Sequence, residues 1–302
     1  MAALWWLRMP EENAPPPQPV APRFKAREPG PMPAPTAQTA APKATGKPSL
    51  PPPEGSAAPK ISAPKPQTNA RDPHTPPPNS VPFEVIDGMV IAYGDVLLGK
   101  PLVDDFPASG YIDQPQLHLW PNGRIPYSIE EGLPNPERVL STIKYFNENT
   151  PVRFLPFNGE PDSVVFMRGQ NLCLSYVGKV GGGQPIFLED RCDEHEIRHE
   201  IMHLLGFIHE QSRADRDQYL QIQWDNIETG KESQFVVAPA ELTKPIKGRP
   251  FDYHSVMMYP PNMFARDNSK PVMVSKTGEA IEPVRTGLSP EDLERLRQLY
   301  NR

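Results

Sequence analysis

The stretch from His199 to His209 reads H-E-I-M-H-L-L-G-F-I-H, and its residue types and spacing suit metal-assisted hydrolysis. On a helix, His199 and His203 lie about one turn apart, so both imidazoles project from one face and can hold a single ion. Gly206 tolerates the positive φ that lets the chain leave the helix sharply and bring His209 back to the metal. Three neutral nitrogens with one open position are typical of a catalytic zinc site.

Glu200 follows the first histidine and is rotated from it by about 100° at 3.6 residues per turn. Its carboxylate can therefore reach a water on the metal without binding the metal itself. Because zinc lowers the pKa of such a water to about 7, we expect Glu200 to accept its proton as the water attacks a substrate.

A second H-E-x-x-H, from His195 to His199, overlaps the first. In that register Met202 and Leu205 occupy the positions of the glycine and the third ligand, so the site cannot close. We therefore expect the later register, with His195 and Glu196 facing solvent. Histidines that only pack or face solvent are the alternative. The added glycine and third histidine make a chance match rarer by a factor on the order of a thousand.

The elements that must position this motif are indicated by caps, turns and apolar spacing. A helix from about Asp193 to Leu205 carries it, inside a compact domain that begins near Leu117. The patterns predict further elements: a strand over 118–129 bent at 121–123, a helix over 134–149 capped by Asn135, strands over 152–157 and 163–167, a hairpin around 181–183, a helical piece over 226–235 and a final helix from Ser289.

Composition separates residues 1–80 from the rest, because 22 of the 42 prolines lie there. That segment carries about +4 of formal charge and the remainder about −10, for a total of −6. With few large apolar residues it cannot offset the entropy of ordering, so we expect a disordered Pro/Ala/Lys-rich arm. A solvated tail is the favoured interpretation, and a proline-binding module is a candidate partner.

The acidic folded part argues against nucleic acid as a partner, because phosphate binding needs clustered Lys and Arg. No stretch reaches the ~18 apolar residues of a membrane span. The first residues lack the charged start and full apolar core of a secretory signal, so export would use another route or an upstream signal.

The zinc motif followed by Glu210, with Ser255-Val256-Met257-Met258-Tyr259 downstream, resembles the astacin family of metzincin peptidases. Other stretches agree with this likeness, which spans 117–302: Trp120 to Tyr127, Ser175-Tyr176-Val177-Gly178, and Arg213 to Asp217. A prokaryotic-type member is expected. The resemblance implies a zinc metalloendopeptidase acting on protein or peptide substrates, and we expect a monomer.

The implied fold is an α+β, two-lobed metzincin domain. Its N-terminal lobe has a twisted, mainly parallel sheet and two helices, and its C-terminal lobe is irregular with a terminal helix. The resemblance places Met257 in the Met-turn beneath the zinc. It makes Tyr259 a zinc ligand at rest, which leaves when substrate binds and then stabilises the oxyanion. Met258 is expected to pack in the core.

By the same resemblance, substrate would lie extended along the strand Cys173-Leu174-Ser175-Tyr176 and add to the sheet as one more strand. The same residues also suit an ordinary sheet strand, and the two interpretations are compatible.

Astacins are made as zymogens in which a propeptide aspartate displaces the zinc water. Here Ala92-Tyr93-Gly94-Asp95 resembles the segment that carries it, so Asp95 is a candidate latch within a propeptide-like segment over 81–116. A turn aspartate is the alternative. If Asp95 is the latch, cleavage between about Pro107 and Gln114 activates the enzyme, and Glu210 would tether the new N-terminus as in the family.

Cys173 and Cys192 are 19 residues apart, which fits no zinc-knuckle spacing. The corresponding pair in the family is disulfide-bonded, which implies a Cys173–Cys192 bridge and a secreted or periplasmic destination. Two buried thiols in a cytosolic protein are the alternative. The second bridge of the family is absent, since Pro151 stands where one partner is expected, so the C-terminal helix is expected to be held by packing alone.

Two other functions remain open at this point. A non-catalytic module could keep the fold as a peptide-holding surface, although the full set of metal-site residues argues against decay. Three histidines also suit iron, cobalt or copper, but a glutamate beside the metal without ligand geometry favours hydrolysis.

Overall fold

The computed structural model describes residues 60–61, 74–101, 103 and 105–301. Most of the proline-rich arm, with its expected disorder and its candidate partner, lies outside these residues. Within 1–80, Lys60–Ile61 pairs in parallel with Lys100–Pro101, and Ser80 begins a strand.

The centre of the molecule is a large mixed sheet. The strands of the described residues are β1 Lys60–Ile61, β2 Ser80–Ile86, β3 Met89–Ala92, β4 Val96–Pro101, β5 Ser109–Asp113, β6 Arg124–Ile129, β7 Arg153–Pro156, β8 Ser163–Arg168, β9 Leu174–Ser175, β10 Gly183–Leu188, β11 Leu220–Ile222 and β12 Met273–Ser275. The first ten form one sheet in the order β5-β2-β3-β4-β9-β10-β8-β6-β7, with β1 added to β4. β11 and β12 form a separate antiparallel pair.

The half of this sheet built from residues after 117 is parallel except for β9, as the fold class requires. β7, β6, β8 and β10 run parallel, and β9 returns antiparallel to β10 through the predicted glycine turn. The other half is an antiparallel meander of β2, β3 and β4, with β5 added antiparallel to β2 at the edge. The sequence indicated strands in that segment but not that they extend the sheet of the main domain, by the pairing of Val96 with Ser175.

Two helices, α1 Glu137–Asn149 and α2 Glu194–Leu204, pack in the N-terminal lobe against the main core. α1 buries Val139, Ile143 and Phe146, which recur at the spacing of one helix face. Asn135 does not cap this helix as expected. It lies in the left-handed region at φ 49°, and Pro136 precedes the first helical residue without a side-chain cap.

α2 carries the metal motif and has a strong start and a sharp end. Asp193 and Glu196 form a reciprocal capping box at its N-terminus. After Leu205 the chain turns at Gly206, whose φ is 99° and whose added Cβ would lie 2.7 Å from Leu119 Cδ2, so only glycine fits. The expectation that His195 faces solvent is wrong: its side chain is 4% exposed, because the helix presents that face to the protein.

The C-terminal lobe is largely irregular, as expected, and has its own apolar cluster that includes Leu220, Phe235 and Met258. The piece expected to be helical over 226–235 consists of two short 3₁₀ turns, Trp224–Asn226 and Glu232–Phe235. The last helix, α3 Pro290–Tyr300, begins with the predicted capping box between Ser289 and Asp292.

The expectation that α3 is held by packing alone is wrong. Its Tyr300 hydroxyl donates to Leu205 O at 2.9 Å, and its Arg295 forms a buried ion pair with Glu210 at 2.9 Å. Polar contacts therefore join the last helix to the end of α2 and to the residue after the third histidine.

The disulfide between Cys173 and Cys192 is present, as predicted, and joins the residue before β9 to the second residue before α2. Among the described residues, no helix has both the length and the apolar character needed to cross a bilayer.

Candidate metal centre and cleft

The three histidines of the motif converge as the later register predicts. His199 and His203 come from successive turns of α2, and the turn at Gly206 returns His209 to them. The Nε2 atoms of His199 and His209 lie 3.0 Å apart, and all three rings are within 5.0 Å of one another, centroid to centroid. The side chains of His203 and His209 are fully buried.

The hydrogen bonds of the other ring nitrogens determine what these side chains can hold. His199 Nδ1 donates to Val256 O and His203 Nδ1 donates to Phe207 O, each at 2.8 Å, because a carbonyl can only accept. Both Nε2 atoms therefore carry lone pairs that face the centre of the cluster. His209 Nε2 faces the same centre and lies 3.0 Å from His199 Nε2, so three imidazole nitrogens converge at a spacing that fits a zinc ion.

Asp95 closes the cluster from the propeptide-like segment. Its Oδ2 lies 3.2 Å from His209 Nε2 and 3.4 Å from His199 Nε2, and its Oδ1 lies 3.2 Å from His203 Nε2. Asp95 and the three histidines are the one group in the described part of the chain whose ligand atoms have metal-site spacing, all within 4.8 Å. The structure therefore brings the candidate latch to the candidate ligands.

Backbone geometry aims the Asp95 carboxylate. Tyr93 and Gly94 both have positive φ, 49° and 95°, which turns the chain between β3 and β4. The next residues then pair with the strand expected to bind substrate: Ser175 N donates to Asp95 O at 3.2 Å, and Val96 pairs in parallel with Ser175. In this form the outer edge of β9 is covered by β4 where the two strands meet.

Gly94 lies in close contact with the C-terminal lobe. A Cβ built on it would overlap Gln234 Oε1 and lie 3.1 Å from the Tyr259 hydroxyl. Two side-chain contacts lie beside this approach, between Glu84 and Lys231 at 3.7 Å and between Ser233 Oγ and Glu84 Oε1 at 3.1 Å. The segment before residue 117 therefore bridges both lobes across the cleft.

Tyr259 lies beside the cluster with its ring centroid 4.5 Å from that of His209. Its hydroxyl donates to Tyr93 O at 2.9 Å rather than to a group of the metal cluster. Burial, and then the negative charge of Asp95, raise the pKa of this phenol well above its usual value, so it stays a proton donor.

Glu200 is also buried at the site, and its Oε2 has no hydrogen-bond partner among the described residues. Burial, followed by the charge of Asp95, raises the pKa of this carboxyl well above its usual value. A carboxylate with a raised affinity for protons is suited to accept one, and removal of Asp95 would remove one of the three causes, the third being the charge of Glu196.

The pKa values of the other site groups follow from burial and from Asp95. Burial lowers the pKa of His209 to about 4 and also lowers that of His203, which keeps both rings neutral and able to bind a metal. Burial raises the pKa of Asp95, but its interactions with His209, His203 and His199 outweigh burial and hold that pKa well below its usual range.

The segment expected to form the Met-turn is hydrogen-bonded to the residue after His209 and to the ring of His199. Met257 is buried in the main core, and its carbonyl accepts a hydrogen bond from Glu210 N at 2.9 Å. Met258 is buried in the core of the C-terminal lobe, as expected. These residues therefore connect the segment that carries His209 to the Val256 carbonyl, which orients His199.

Sequence reasoning missed several residues that hold the site, and they share the property that their partners are distant along the chain. Gln234 and Tyr93 approach the Tyr259 hydroxyl, and Asp292 accepts from Ser255 Oγ and Val256 N. None of them has a local sequence signal, apart from the cap position of Asp292 at the start of α3.

Beside the cluster, a cleft is bordered by the disulfide and by residues of both lobes. It is lined by Leu172, Cys173, Glu189, Arg191, Met263 and Phe264, among others. Phe264 has φ 58°, an uncommon conformation for an aromatic residue, and such strain clusters at functional sites.

Comparison with known proteins agrees with this geometry. A sequence model of the peptidase family Astacin matches residues 113–301. The chain is 39% identical over 213 residues to a zinc metalloproteinase, nas-14, of Caenorhabditis elegans, covering 68% of this chain and 41% of that protein. It is 37% identical over 229 residues to astacin-like metalloprotease toxin 1 of Loxosceles intermedia, covering 72% of this chain and 83% of the toxin.

Among solved structures, a hatching-enzyme zinc protease of the medaka fish Oryzias latipes, high choriolytic enzyme 1, aligns with a TM-score of 0.55 and 29% identity. The alignment covers 62% of this chain and 94% of that one. The chain spans less than half the length of the first nematode relatives it matches. The three proteins described above come from animals, so they give no support to the expectation of a prokaryotic-type member.

Proposed function

The chain belongs to the astacin family of zinc metallopeptidases, and we propose that it is a zinc-dependent endopeptidase held in a latent form by Asp95. One observation carries this proposal: three buried histidines direct their Nε2 atoms at one point, and the carboxylate of Asp95 lies against all three. The outlines of the two-lobed fold and the family match support the same function.

In the proposed mechanism, His199, His203 and His209 hold the zinc. When bound, zinc supplies Lewis-acid polarisation of the peptide carbonyl and makes a water acidic enough to attack near neutral pH. Glu200 accepts the proton of the attacking water and delivers it to the leaving amine. The Tyr259 hydroxyl, which donates to Tyr93 O in this form, would donate to the carbonyl oxygen of the substrate as that oxygen gains negative charge.

The latent state follows from what Asp95 and its neighbours cover. The carboxylate occupies the position that a water would need at the three histidines. The Tyr259 hydroxyl is engaged as well, because it donates its hydrogen bond to Tyr93 O. With β4 paired to β9, a substrate cannot add to the strand Cys173 to Tyr176 at that point. Removal of this segment would free the metal, the phenol and the strand edge together. Tyr259 would then be free to bind the zinc at rest, as in the family.

Activation requires cleavage in the segment that joins the propeptide to the peptidase domain. The proposed region, 107–114, contains β5 Ser109–Asp113, an edge strand bound to β2 with two of its five residues half-buried and three exposed. An edge strand is reachable by another protease after local opening. We therefore divide the chain into the arm 1–80, the propeptide segment 81–116 and the peptidase domain 117–302.

We further propose that the protein is secreted or periplasmic and acts on extended protein or peptide substrates as a monomer. The disulfide supports an oxidising destination, since such bridges rarely persist in a reducing cytosol. A proline-binding module remains our proposed partner for the arm. Sequencing the N-terminus of the active, exported form would test the destination and the cleavage region together.

The catalytic role of Glu200 is tested by Glu200→Gln in the cleaved enzyme. The variant should keep one zinc per chain and lose hydrolysis of a denatured protein by at least about 10²-fold, because general-base catalysis contributes that much. Glu194→Gln is the matched control, since Glu194 is an exposed carboxylate on the same helix. Full activity of Glu200→Gln would contradict the proposed mechanism.

A further inference from the structure

The carboxylate of Glu210 is already enclosed by positive charge. Its Oε1 accepts from Arg213 Nη1 at 2.8 Å, from Arg295 Nη2 at 2.9 Å and from Asp252 N at 2.8 Å, and its Oε2 accepts from Arg295 Nη1 at 2.9 Å. Glu210 is fully buried, and both arginines are 2% exposed. Three of these donors bind Oε1 and one binds Oε2, so Arg295 contacts both oxygens of a carboxylate that is closed to solvent.

We propose that Glu210 anchors α3 to the metal site through Arg295 and does not receive the N-terminus that cleavage releases. This departs from the role that the family resemblance gives to Glu210. It rests on the proposed function only for the position of the cleavage, and its main test does not depend on peptidase activity.

A new ammonium group could reach this carboxylate only by displacing a guanidinium. Arginine stays charged in proteins, so the displaced Arg295 would remain a buried cation without its partner. Arg295 is also tied elsewhere, because its Nη2 donates to Pro250 O at 2.6 Å and its Nε to Glu291 Oε1 at 3.3 Å. The exchange would therefore give up a two-pronged charged contact and gain a single ammonium.

The same contact positions the metal site. Glu210 follows the third histidine directly, and its backbone N–H donates to Met257 O. One turn before Arg295 on α3, Asp292 accepts from Ser255 Oγ at 2.7 Å and from Val256 N at 2.9 Å. α3 therefore contacts the Met-turn through Asp292, and through Arg295 it contacts Glu210, the residue after the third histidine.

This arrangement explains how α3 is fastened without the second disulfide of the family. Arg295 joins α3 to Glu210, which lies 85 positions earlier in the chain, and Asp292 joins it to Val256, which lies 36 positions earlier. Both side chains of α3 are buried. Arg295 is a positioning residue: it acts on the zinc through Glu210 and does not touch the reacting atoms.

The main test measures zinc release to a chelator from the uncleaved and the cleaved chain. Arg295→Met should release zinc about 10–100-fold faster in both forms, since loss of a partner that orients a ligand typically weakens metal binding by that factor. Arg297→Met is the matched control, because Arg297 lies on the same helix with its side chain half exposed. Glu210→Gln should also accelerate release in both forms, and the double variant should be no worse than Arg295→Met.

Two outcomes would overturn the inference. One is zinc release from Arg295→Met at the rate of the parent. The other is a Glu210→Gln variant that is harmless before cleavage and harmful only afterwards, which is what a tether for the new N-terminus predicts. If Arg295→Met does not fold, Arg295→Lys serves instead, because lysine keeps the charge and loses the two-pronged contact, so release should be intermediate.

A second measurement varies the N-terminus itself. A site-specific protease sequence can be placed in the full chain so that cleavage leaves products that begin at 112, 114 or 116. Because a solvated terminus contributes little, kcat/KM and the rate of zinc release should agree within about fivefold across the series. A sharp optimum at one length, lost when a single residue is added, would contradict the proposal.

Discussion

Replacement of Gly94 by alanine should open the latch without touching the metal ligands or Asp95. Gly94 has φ 95°, and an added Cβ would overlap Gln234 Oε1 and approach the Tyr259 hydroxyl to 3.1 Å. Both obstacles exist only while the propeptide segment lies in the cleft. The substitution therefore acts on the closed form and leaves the open form unchanged.

The size of the effect follows from two costs. An L-residue at a left-handed position costs about 1–2 kcal/mol relative to glycine. Overpacking against Gln234, which is 3% exposed and has little room to move, costs about 1–3 kcal/mol more. Since every 1.4 kcal/mol is a factor of ten, even the lower sum of about 2 kcal/mol raises the open population by roughly 30-fold.

The assay is the basal hydrolysis of a denatured protein by the uncleaved chain. Gly88→Ala is the matched control, because Gly88 has φ 72° in the turn between β2 and β3 and no atom lies within 4 Å of its added Cβ. Gly94→Ala should raise basal activity by about 30-fold or more over the parent and by about fivefold or more over that control, which shares the left-handed strain but not the overlap. After cleavage both variants should match the parent enzyme, since both positions leave with the propeptide.

Equal basal activity of Gly94→Ala and Gly88→Ala, with zinc present in both, would refute this reasoning. It would mean that the segment does not close the cleft in solution, or that Gln234 and Tyr259 move aside at no cost.

Three further predictions concern the latch, the disulfide and the pH dependence of stability. Asp95→Ala in the uncleaved chain should raise peptidase activity above that of the parent but not to that of the cleaved enzyme, because the segment still covers the strand edge and the Tyr259 hydroxyl; a variant as silent as the parent would count against the latch. Replacing Cys173 and Cys192 by serine should lower the free energy of unfolding by about 3 kcal/mol in urea titrations, from the loop length alone; an unchanged midpoint would contradict this. Burial, and then its hydrogen bond with Asp193, raise the pKa of Glu196 from an ordinary 4.5 to about 7. The folded protein therefore favours the protonated carboxyl, so the contribution of Glu196 to stability is present below about pH 4.5 and is lost as pH rises through about 7. Glu196→Gln should therefore gain stability relative to the parent between about pH 4.5 and about pH 7, and a difference that does not vary with pH would refute the assignment.

The sequence predicted what local spacing determines. The helix of α2, the turn at Gly206 and the return of His209 all lie within eleven residues, so periodicity and turn chemistry were enough to place the three histidines together. The disulfide and the roles of Met257 and Tyr259 came instead from the resemblance, because their partners are far away along the chain.

What the sequence could not predict depends on long-range contacts. Arg295 resembles an ordinary surface charge in the pattern of α3, and only the fold reveals its partner 85 residues earlier. The burial of His195 was missed for a similar reason: helical periodicity gives relative directions on α2, while the surrounding elements determine which face is covered. The pairing of Val96 with Ser175 depends on a register between distant strands that neither strand specifies alone.

The most direct test of the central claim is the hydrolysis of a denatured protein by the cleaved chain, followed against its zinc content. The account predicts one zinc per chain, loss of hydrolysis when a chelator removes the zinc, and recovery when zinc is added back. Hydrolysis that persists after the metal is gone, or a cleaved chain that is fully loaded with zinc and inert towards every unfolded protein tested, would contradict it.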